Sequence, residues 1–126
     1  MGTLRSRRKT AEPEVTTTEE EAAFRWSTSV MLTGPQVAAA AYDFARDLAA
    51  IVAEHGHNLQ YGADVAGTSV HWYVECGTLT EIHELKTALL DSEDYRTLFD
   101  ENHENWVQRS FRENLIALFD VKPATE

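Results

Sequence analysis

The sequence has little of what marks disulfide-stabilised, membrane-spanning or polyanion-binding proteins. Its single cysteine, Cys76, cannot form a disulfide within the chain, so cysteine usage does not point to an oxidising compartment. No apolar run approaches the roughly 18 residues of a membrane-spanning helix. Only 11 basic residues stand against 21 acidic ones, and the formal net charge of -10 disfavours nucleic acids and anionic membranes as partners. We therefore expect a cytoplasmic protein that binds neither.

Common cofactor motifs are absent from the sequence as well. It contains no phosphate-binding glycine loop, no G-x-S-x-G nucleophile elbow and no zinc-like ligand spacing. His55 and His57 flank Gly56, but no cysteine or third clustered histidine accompanies them. We therefore predict that the protein uses no metal ion and no other cofactor.

The first 22 residues contain almost nothing large and apolar. Basic residues come first and glutamates follow, with three threonines between, which is the composition of a disordered tail. No hydrophobic segment follows the basic residues, so they do not form a secretory signal. We predict a tail over 1–22, one domain over 23–122 and a short C-terminal tail over 123–126. A docking function of the first tail is the open alternative.

Alternation of apolar and polar residues predicts strands over 24–32, 58–65 and 68–76. Apolar residues at helical spacing predict a long helix between Pro35, a favourable first residue, and Gly56, a favourable terminator. Thr78 and Glu81 form the pattern of a capping box, which starts a second helix.

The last third of the chain is less regular. Asp91 or Ser92 provides a fresh helix cap, and a short helix continues to about residue 103. The spacing of the apolar residues in the segment 109–121 also allows a helix. We assign this segment as a strand, because one strand is otherwise missing from the count. The resulting order is the split βαβ, ferredoxin-like pattern βαββαβ. This pattern predicts a four-stranded antiparallel sheet, with the first strand beside the third and both helices on one face.

The sheet face away from the helices carries the most suggestive polar side chains. His71 is the best candidate for an acid or base, because its ordinary pKa lies near neutrality, and Tyr73 is the candidate hydrogen-bond donor. We predict these two as catalytic residues. The predicted substrate-binding residues on the same face are Arg25, Ser27, Ser29, Met31 and Glu75.

Structural interpretations of these residues stay open. Arg25 is expected to pair with Glu75 in preference to a substrate oxygen, and Glu75 is also a candidate to orient His71. Trp26, Trp72 and Cys76 fall on the apolar face that the helices cover, and we expect Cys76 to pack in the core. Trp106 and Phe111 are expected to make core or dimer contacts, with closure of a cavity mouth as the alternative.

The element order, and VHWYVECGTLTEIHELKTALLDSEDYRTLFDE in particular, resembles the dimeric α+β barrel superfamily over about residues 24–119. Its members include antibiotic biosynthesis monooxygenase-type proteins, polyketide cyclases, NIPSNAP-like proteins and haem-degrading monooxygenases. The resemblance implies a homodimer in which two sheets meet face to face around a polar, aromatic-lined interior. A monomer with a solvated sheet face is the alternative.

From these residues and this resemblance we expect an enzyme. The hypothesis is a cofactor-free oxygenase or cyclase that acts on a hydrophobic aromatic or polyketide-like small molecule, with His71 and Tyr73 as its acid-base pair. A non-catalytic dimeric module that binds a small molecule or a partner is the first alternative. A haem-binding or haem-degrading monooxygenase is the second, and it depends on His103.

Overall fold

The computed structural model describes residues 23–121, and the predicted tails over 1–22 and 123–126 lie outside them. The four strands are β1 (Ala23–Met31), β2 (Leu59–Ala63), β3 (Ser69–Cys76) and β4 (Arg112–Leu118). The three helices are α1 (Ala38–Glu54), α2 (Leu79–Leu90) and α3 (Glu93–Glu101). None of the helices over 23–121 combines the length and the hydropathy that a bilayer crossing requires.

The strands form one antiparallel sheet in the order β2-β3-β1-β4. The first strand therefore lies beside the third, and the predicted ferredoxin-like fold class is confirmed. The ambiguous segment 109–121 does contain the missing strand, because Arg112–Leu118 pairs with β1.

The helix boundaries follow from the capping residues. Thr78 Oγ1 accepts a hydrogen bond from the Glu81 backbone nitrogen at 3.1 Å, and the Glu81 carboxylate accepts one from the Gly77 nitrogen at 2.9 Å. Thr78 thus caps the helix as predicted, whereas the Glu81 carboxylate reaches the nitrogen of the residue before the cap instead of that of Thr78 itself. Ser92, one of the two predicted caps, accepts from the Tyr95 nitrogen at 3.2 Å. The first helix starts later than predicted, because Pro35–Val37 form a 3-10 turn before α1.

The core lies between the helices and one sheet face. Phe44 of α1 is its largest fully buried side chain, and its ring packs against Trp72 and Trp106 at centroid distances of 5.3 and 5.0 Å. Cys76 is buried on the same face, as expected. The other buried residues of the core cluster are Val30, Leu32, Ala41, Leu48, Ile51, Val52, Val70, Val74, Ile82, Leu85, Leu89 and Leu98.

The helices leave the edge strand β4 largely uncovered. α1 packs against β2 and α3, whereas α2 packs against β3 and β1. On β4, the pairing of Leu115 with Trp26 places Leu115 on the helix side of the sheet, yet Leu115 remains 51% exposed. A cleft therefore opens between the helices and this edge of the sheet.

The importance of the Phe44 contacts is testable on α1 alone. We expect Phe44→Ala to lower the free energy of unfolding by about 3–5 kcal/mol, because it leaves a cavity among aromatic rings. Tyr42 on the same helix is mostly exposed and touches only Tyr61 among the aromatic rings of residues 23–121. Tyr42→Ala should cost about 1 kcal/mol or less. Urea denaturation of both variants measures the difference, and equal losses would contradict this account of the core.

The turn between β2 and β3 is fixed by Asp64. Its carboxylate accepts hydrogen bonds from the Thr68 hydroxyl at 2.7 Å, the Thr68 nitrogen at 2.9 Å and the Ser69 hydroxyl at 3.1 Å. The Thr68 hydroxyl is the main cause that lowers the pKa of Asp64 from 3.8 to about 2.

A pH titration tests this turn. Because folding lowers the pKa of Asp64, the carboxylate stabilises the fold above pH 3.8, and this contribution is lost as the pH falls towards about 2. Thr68→Val removes the hydroxyl donor, so we expect the Asp64 pKa to rise towards 3.8. A carbon-13 NMR titration of the Asp64 carboxyl in both proteins checks this. An unchanged pKa in the variant would show that the hydroxyl does not hold the charge.

Candidate functional site

The structure places all seven predicted site residues on the sheet face opposite the helices, called here the outer face. The β1–β3 register sets Arg25 opposite Glu75, Ser27 opposite Tyr73, Ser29 opposite His71, and Met31 opposite Ser69. Because directly paired residues share a face, the predicted set forms two adjacent rows along the centre of the sheet.

Polar groups on the outer face are satisfied mainly by one another. Arg25 donates two hydrogen bonds to one Glu75 oxygen, from Nη2 at 2.7 Å and from Nε at 3.0 Å. The guanidinium carbon also lies 4.3 Å from the centroid of the Tyr73 ring, a cation–π contact. The Tyr73 hydroxyl donates to Gln60 Oε1 at 2.8 Å. Arg25 thus pairs with Glu75, which is the interaction predicted from the sequence in preference to a substrate oxygen.

His71 is exposed and stacks on its neighbour. Its ring is nearly parallel to Tyr73, with an interplanar angle of 12° and a centroid distance of 6.1 Å. Across the strand pair it lies against Gly62, where an added Cβ would come within 2.5 Å of the imidazole. Glu75 bonds to Arg25 rather than to His71, so in this structure it does not orient the imidazole.

Ser29 and Met31 extend into a second region at the end of the sheet. Together with the turn before β4, they line an open cavity of about 380 Å³. In that turn Arg109 has a φ of 68°, the left-handed conformation that few non-glycine residues adopt. The predicted site residues therefore lie in different surroundings. Arg25 contacts both Glu75 and Tyr73, whereas Ser29 and Met31 border this cavity.

A more enclosed space lies on the other side of the sheet, between β1, β4, α2 and α3. We call it the helix-side cleft, and its volume is about 380 Å³. A second, smaller space of about 20 Å³ shares Trp26, Thr28 and Tyr95 with it and reaches Trp72 in the core. The residues that line the helix-side cleft are Trp26, Thr28, Lys86, Leu90, Tyr95, Phe99, Phe111, Arg112 and Glu113.

One carboxylate organises the polar groups of the helix-side cleft. Glu113 accepts hydrogen bonds from Trp26 Nε1 and from Lys86 Nζ, the latter at 2.8 Å. Lys86 Nζ also lies 5.5 Å from the Trp26 ring centroid. The hydrogen bond from Lys86 is the main cause that lowers the pKa of Glu113. Burial, and then the Glu113 charge, raise the pKa of Tyr95.

These shifts define the charges in the cleft at neutral pH. Glu113 is ionised and therefore a weak base, and Tyr95 keeps its proton and can donate a hydrogen bond. The cleft thus combines aromatic walls with an ammonium group and a phenol hydroxyl. This arrangement can hold a planar aromatic molecule and stabilise negative charge that develops on its oxygen.

Sequence reasoning missed this cluster for a definite reason. It assigned Trp26 to the core and left 109–121 ambiguous, so the position of Glu113 was undefined. Once that segment is a strand, Glu113 alternates with Leu115 on the helix side. A carboxylate on an otherwise apolar face was the available signal, because such a group needs a partner.

Other titratable candidates lie apart from the cleft. His103 is exposed, with Nδ1 at 2.8 Å from the Asp100 carbonyl oxygen, and it borders none of the three cavities above. Cys76 Sγ lies 3.6 Å from His57 Nδ1, but burial raises the pKa of the thiol, so it is a poor nucleophile. Over residues 23–121, no group of three or more His, Cys, Asp or Glu side chains is arranged to hold a metal ion.

The chain resembles several proteins of known structure in its fold. No protein-family model and no curated protein matches the chain. A monooxygenase from Streptomyces coelicolor, solved with nanaomycin D, is 14% identical in sequence and has a TM-score of 0.63. The match covers 83% of this chain and 95% of that one. A NIPSNAP family protein from Agrobacterium tumefaciens is 10% identical with a TM-score of 0.65, covering 84% of this chain and 96% of its own.

A third similar structure comes from an uncultured marine organism. It is a dimeric ferredoxin-like protein, 10% identical with a TM-score of 0.61, and the match covers 86% of this chain and 97% of that one. Each match covers at least 95% of the other protein's chain, so the similarity extends over the complete domain. At these identities the likeness shows the fold. The resemblance drawn from the sequence is thereby confirmed at the level of the fold: the chain has the ferredoxin-like fold of these monooxygenase, NIPSNAP and dimeric ferredoxin-like proteins.

Proposed function

We propose that this protein is a homodimeric, cofactor-free oxygenase or cyclase that acts on a hydrophobic aromatic small molecule bound in the helix-side cleft. The observation that carries the proposal is the cleft itself. Trp26, Phe99 and Phe111 provide flat apolar walls, while Lys86 and Tyr95 provide donors to an oxygen. The monooxygenase of the same fold that was solved with nanaomycin D supports small-molecule binding.

Electrostatics in the cleft favour a substrate that ionises readily. Glu113 is held by Lys86 and Trp26, so it is a weak base for a substrate proton. The ammonium group of Lys86 and the hydroxyl of Tyr95 instead stabilise the enolate or phenolate form against the opposing charge of Glu113, and the substrate proton passes to water in the open cleft. Lys86 and Glu113 are 43% and 48% exposed, so a bound aromatic ring has to displace water from the cleft before these interactions strengthen.

The ionised substrate has two routes to product. With molecular oxygen as the oxidant, an activated methylene becomes a carbonyl. One oxygen atom enters the product and the other leaves as water with the two methylene hydrogens. Without an oxidant, the enolate carbon attacks a carbonyl carbon of the same molecule, and the new carbon–carbon bond closes a ring. The resulting alkoxide takes up a proton from water, and loss of water then leaves a carbon–carbon double bond. Both routes need the same stabilised anion and differ in the substrate.

The outer face is a second candidate location for the active site. Met31 and Ile116 are exposed apolar residues on this face, where Ile116 pairs with Arg25 across the β1–β4 register. A second copy packed here would cover them and enclose His71 and Tyr73 in a chamber. In that chamber His71 would take the proton and Tyr73 would donate to the anion, with Ser27, Ser29 and Met31 against the substrate.

Turnover of anthrone separates the two placements. If the helix-side cleft is the active site, Tyr95→Phe should lower kcat/KM about 100-fold, because it removes a donor to the developing anion. His71→Ala and Tyr73→Phe should then stay within about twofold of the unmodified protein. Tyr42→Phe, an exposed hydroxyl on α1, is the matched control. Oxygen uptake and anthraquinone formation are the measurements.

Each outcome of this experiment has a definite meaning. Loss of activity only in the His71 and Tyr73 variants would move the site to the chamber between the sheets. Binding of anthrone without turnover would leave a non-catalytic module that binds small molecules. Absence of both binding and turnover would overturn the proposal.

The homodimer is tested by mass in solution. We expect a particle near twice 14.2 kDa at micromolar concentration. Ile116→Asp places a charge on the outer face and should give monomers, because an unpaired carboxylate in an apolar contact is costly. Ala50→Asp, on the exposed side of α1, should leave the dimer intact. Sedimentation equilibrium distinguishes these states, and a monomeric unmodified protein would contradict the dimer.

A further inference from the structure

The Trp106 indole is a buried hydrogen-bond donor. The residue is 7% exposed, and within residues 23–121 no group accepts a hydrogen bond from its Nε1. Trp26, by contrast, donates its Nε1 to Glu113. Buried donors are almost always paired, since an unpaired one costs free energy, so an exception calls for an explanation.

Trp106 does not itself line the helix-side cleft, but it contacts a residue that does. Its ring centroid is 6.1 Å from that of Phe111, with an interplanar angle of 75°, and 6.2 Å from that of Trp72. Phe111 in turn lines the cleft. One aromatic ring is therefore shared between the cleft wall and the contact with Trp106.

The Phe111 ring is a partly exposed part of this wall. Phe111 immediately precedes β4, so its backbone lies outside the strand ladder. The side chain is 40% exposed, and its ring contacts are with Trp72, Phe99 and Trp106. Each such aromatic pair contributes little, so a ligand that replaces these contacts can displace the ring.

We propose that Phe111 is a gate and that the unpaired Nε1 of Trp106 is the hydrogen-bond donor for a carbonyl oxygen of the ligand, so that the cleft selects planar aromatic ketones over hydrocarbons of the same shape. This proposal rests on the proposed function, because it concerns the ligand of the same cleft. It assigns a specificity role to a residue that otherwise packs in the core.

The chemistry of the surroundings selects a neutral carbonyl. An indole nitrogen is a donor only, so its partner must be an acceptor. Around Trp106 lie the rings of Phe44, Trp72 and Phe111, where an anion would lose its hydration without gaining an opposite charge. A hydroxyl group would bring a second donor that also needs an acceptor. The ammonium of Lys86 and the carboxylate of Glu113 are left to bind a polar group elsewhere on the ligand.

The test compares 1-tetralone with tetralin, which has nearly the same shape but no carbonyl. Nitrogen-15 NMR spectra follow the indole signals, which Trp26→Phe and Trp106→Phe assign. Both probes should move the Trp26 signal, whereas only 1-tetralone should move the Trp106 proton downfield. We expect 1-tetralone to bind about threefold to tenfold more tightly, which is the usual effect of one hydrogen bond.

Two variants then separate specificity from packing. Trp106→Phe keeps a ring but removes the donor, so both probes should bind with equal affinity. Phe111→Leu should open the gate and tighten the binding of 1-tetralone, with its preference over tetralin retained. A structural role alone would leave the ratio of the two affinities unchanged in Trp106→Phe.

The unmodified protein decides the matter even if a variant does not fold. If 1-tetralone moves the Trp26 signal but leaves the Trp106 signal in place, the proposal is overturned while the cleft remains a binding site. If neither probe moves any signal from the cleft, this proposal and the proposed function fail together.

Discussion

Packing of the Phe44 ring between the sheet and the aromatic residues that follow α3 sets the position of the helices on the sheet. Phe44 contacts Trp72 of β3, Phe99 of α3 and Trp106, each at a centroid distance between 5.0 and 5.3 Å. This contact centres the helices over β2, β3 and β1. The helices pack chiefly on these three strands, and the helix-side cleft is the space that remains beside β4.

The two sheet faces have different chemistry as a result. On the outer face, Arg25, Glu75, Tyr73 and Gln60 are bonded among themselves, so this surface has most of its polar groups satisfied before it meets a partner. On the helix side, Glu113 gathers Lys86 and Trp26 beside open apolar space. We assign the first arrangement to association between copies and the second to a ligand.

Much of the fold was predictable from the sequence because its signals are local. The helix cap at Thr78, the terminator Gly56 and the alternation in β1 and β3 fix where elements begin, end and face. The start of α1 was wrong by one turn, since a proline after Gly34 is compatible with both a helix and a 3-10 turn. The alternation of apolar and polar residues was sufficient to predict on which sheet face each candidate site residue lies.

The candidate site was harder to predict, because it depends on which strand the helices leave uncovered. Period-two alternation placed Trp26 with the core, and only the three-dimensional position of β4 brings Glu113 against it. The most direct measurement is a crystal structure of the protein with a bound hydroxyanthraquinone. The account predicts electron density between Trp26 and Phe111, in contact with Lys86 or Tyr95. Density beside His71 on the outer face would contradict it.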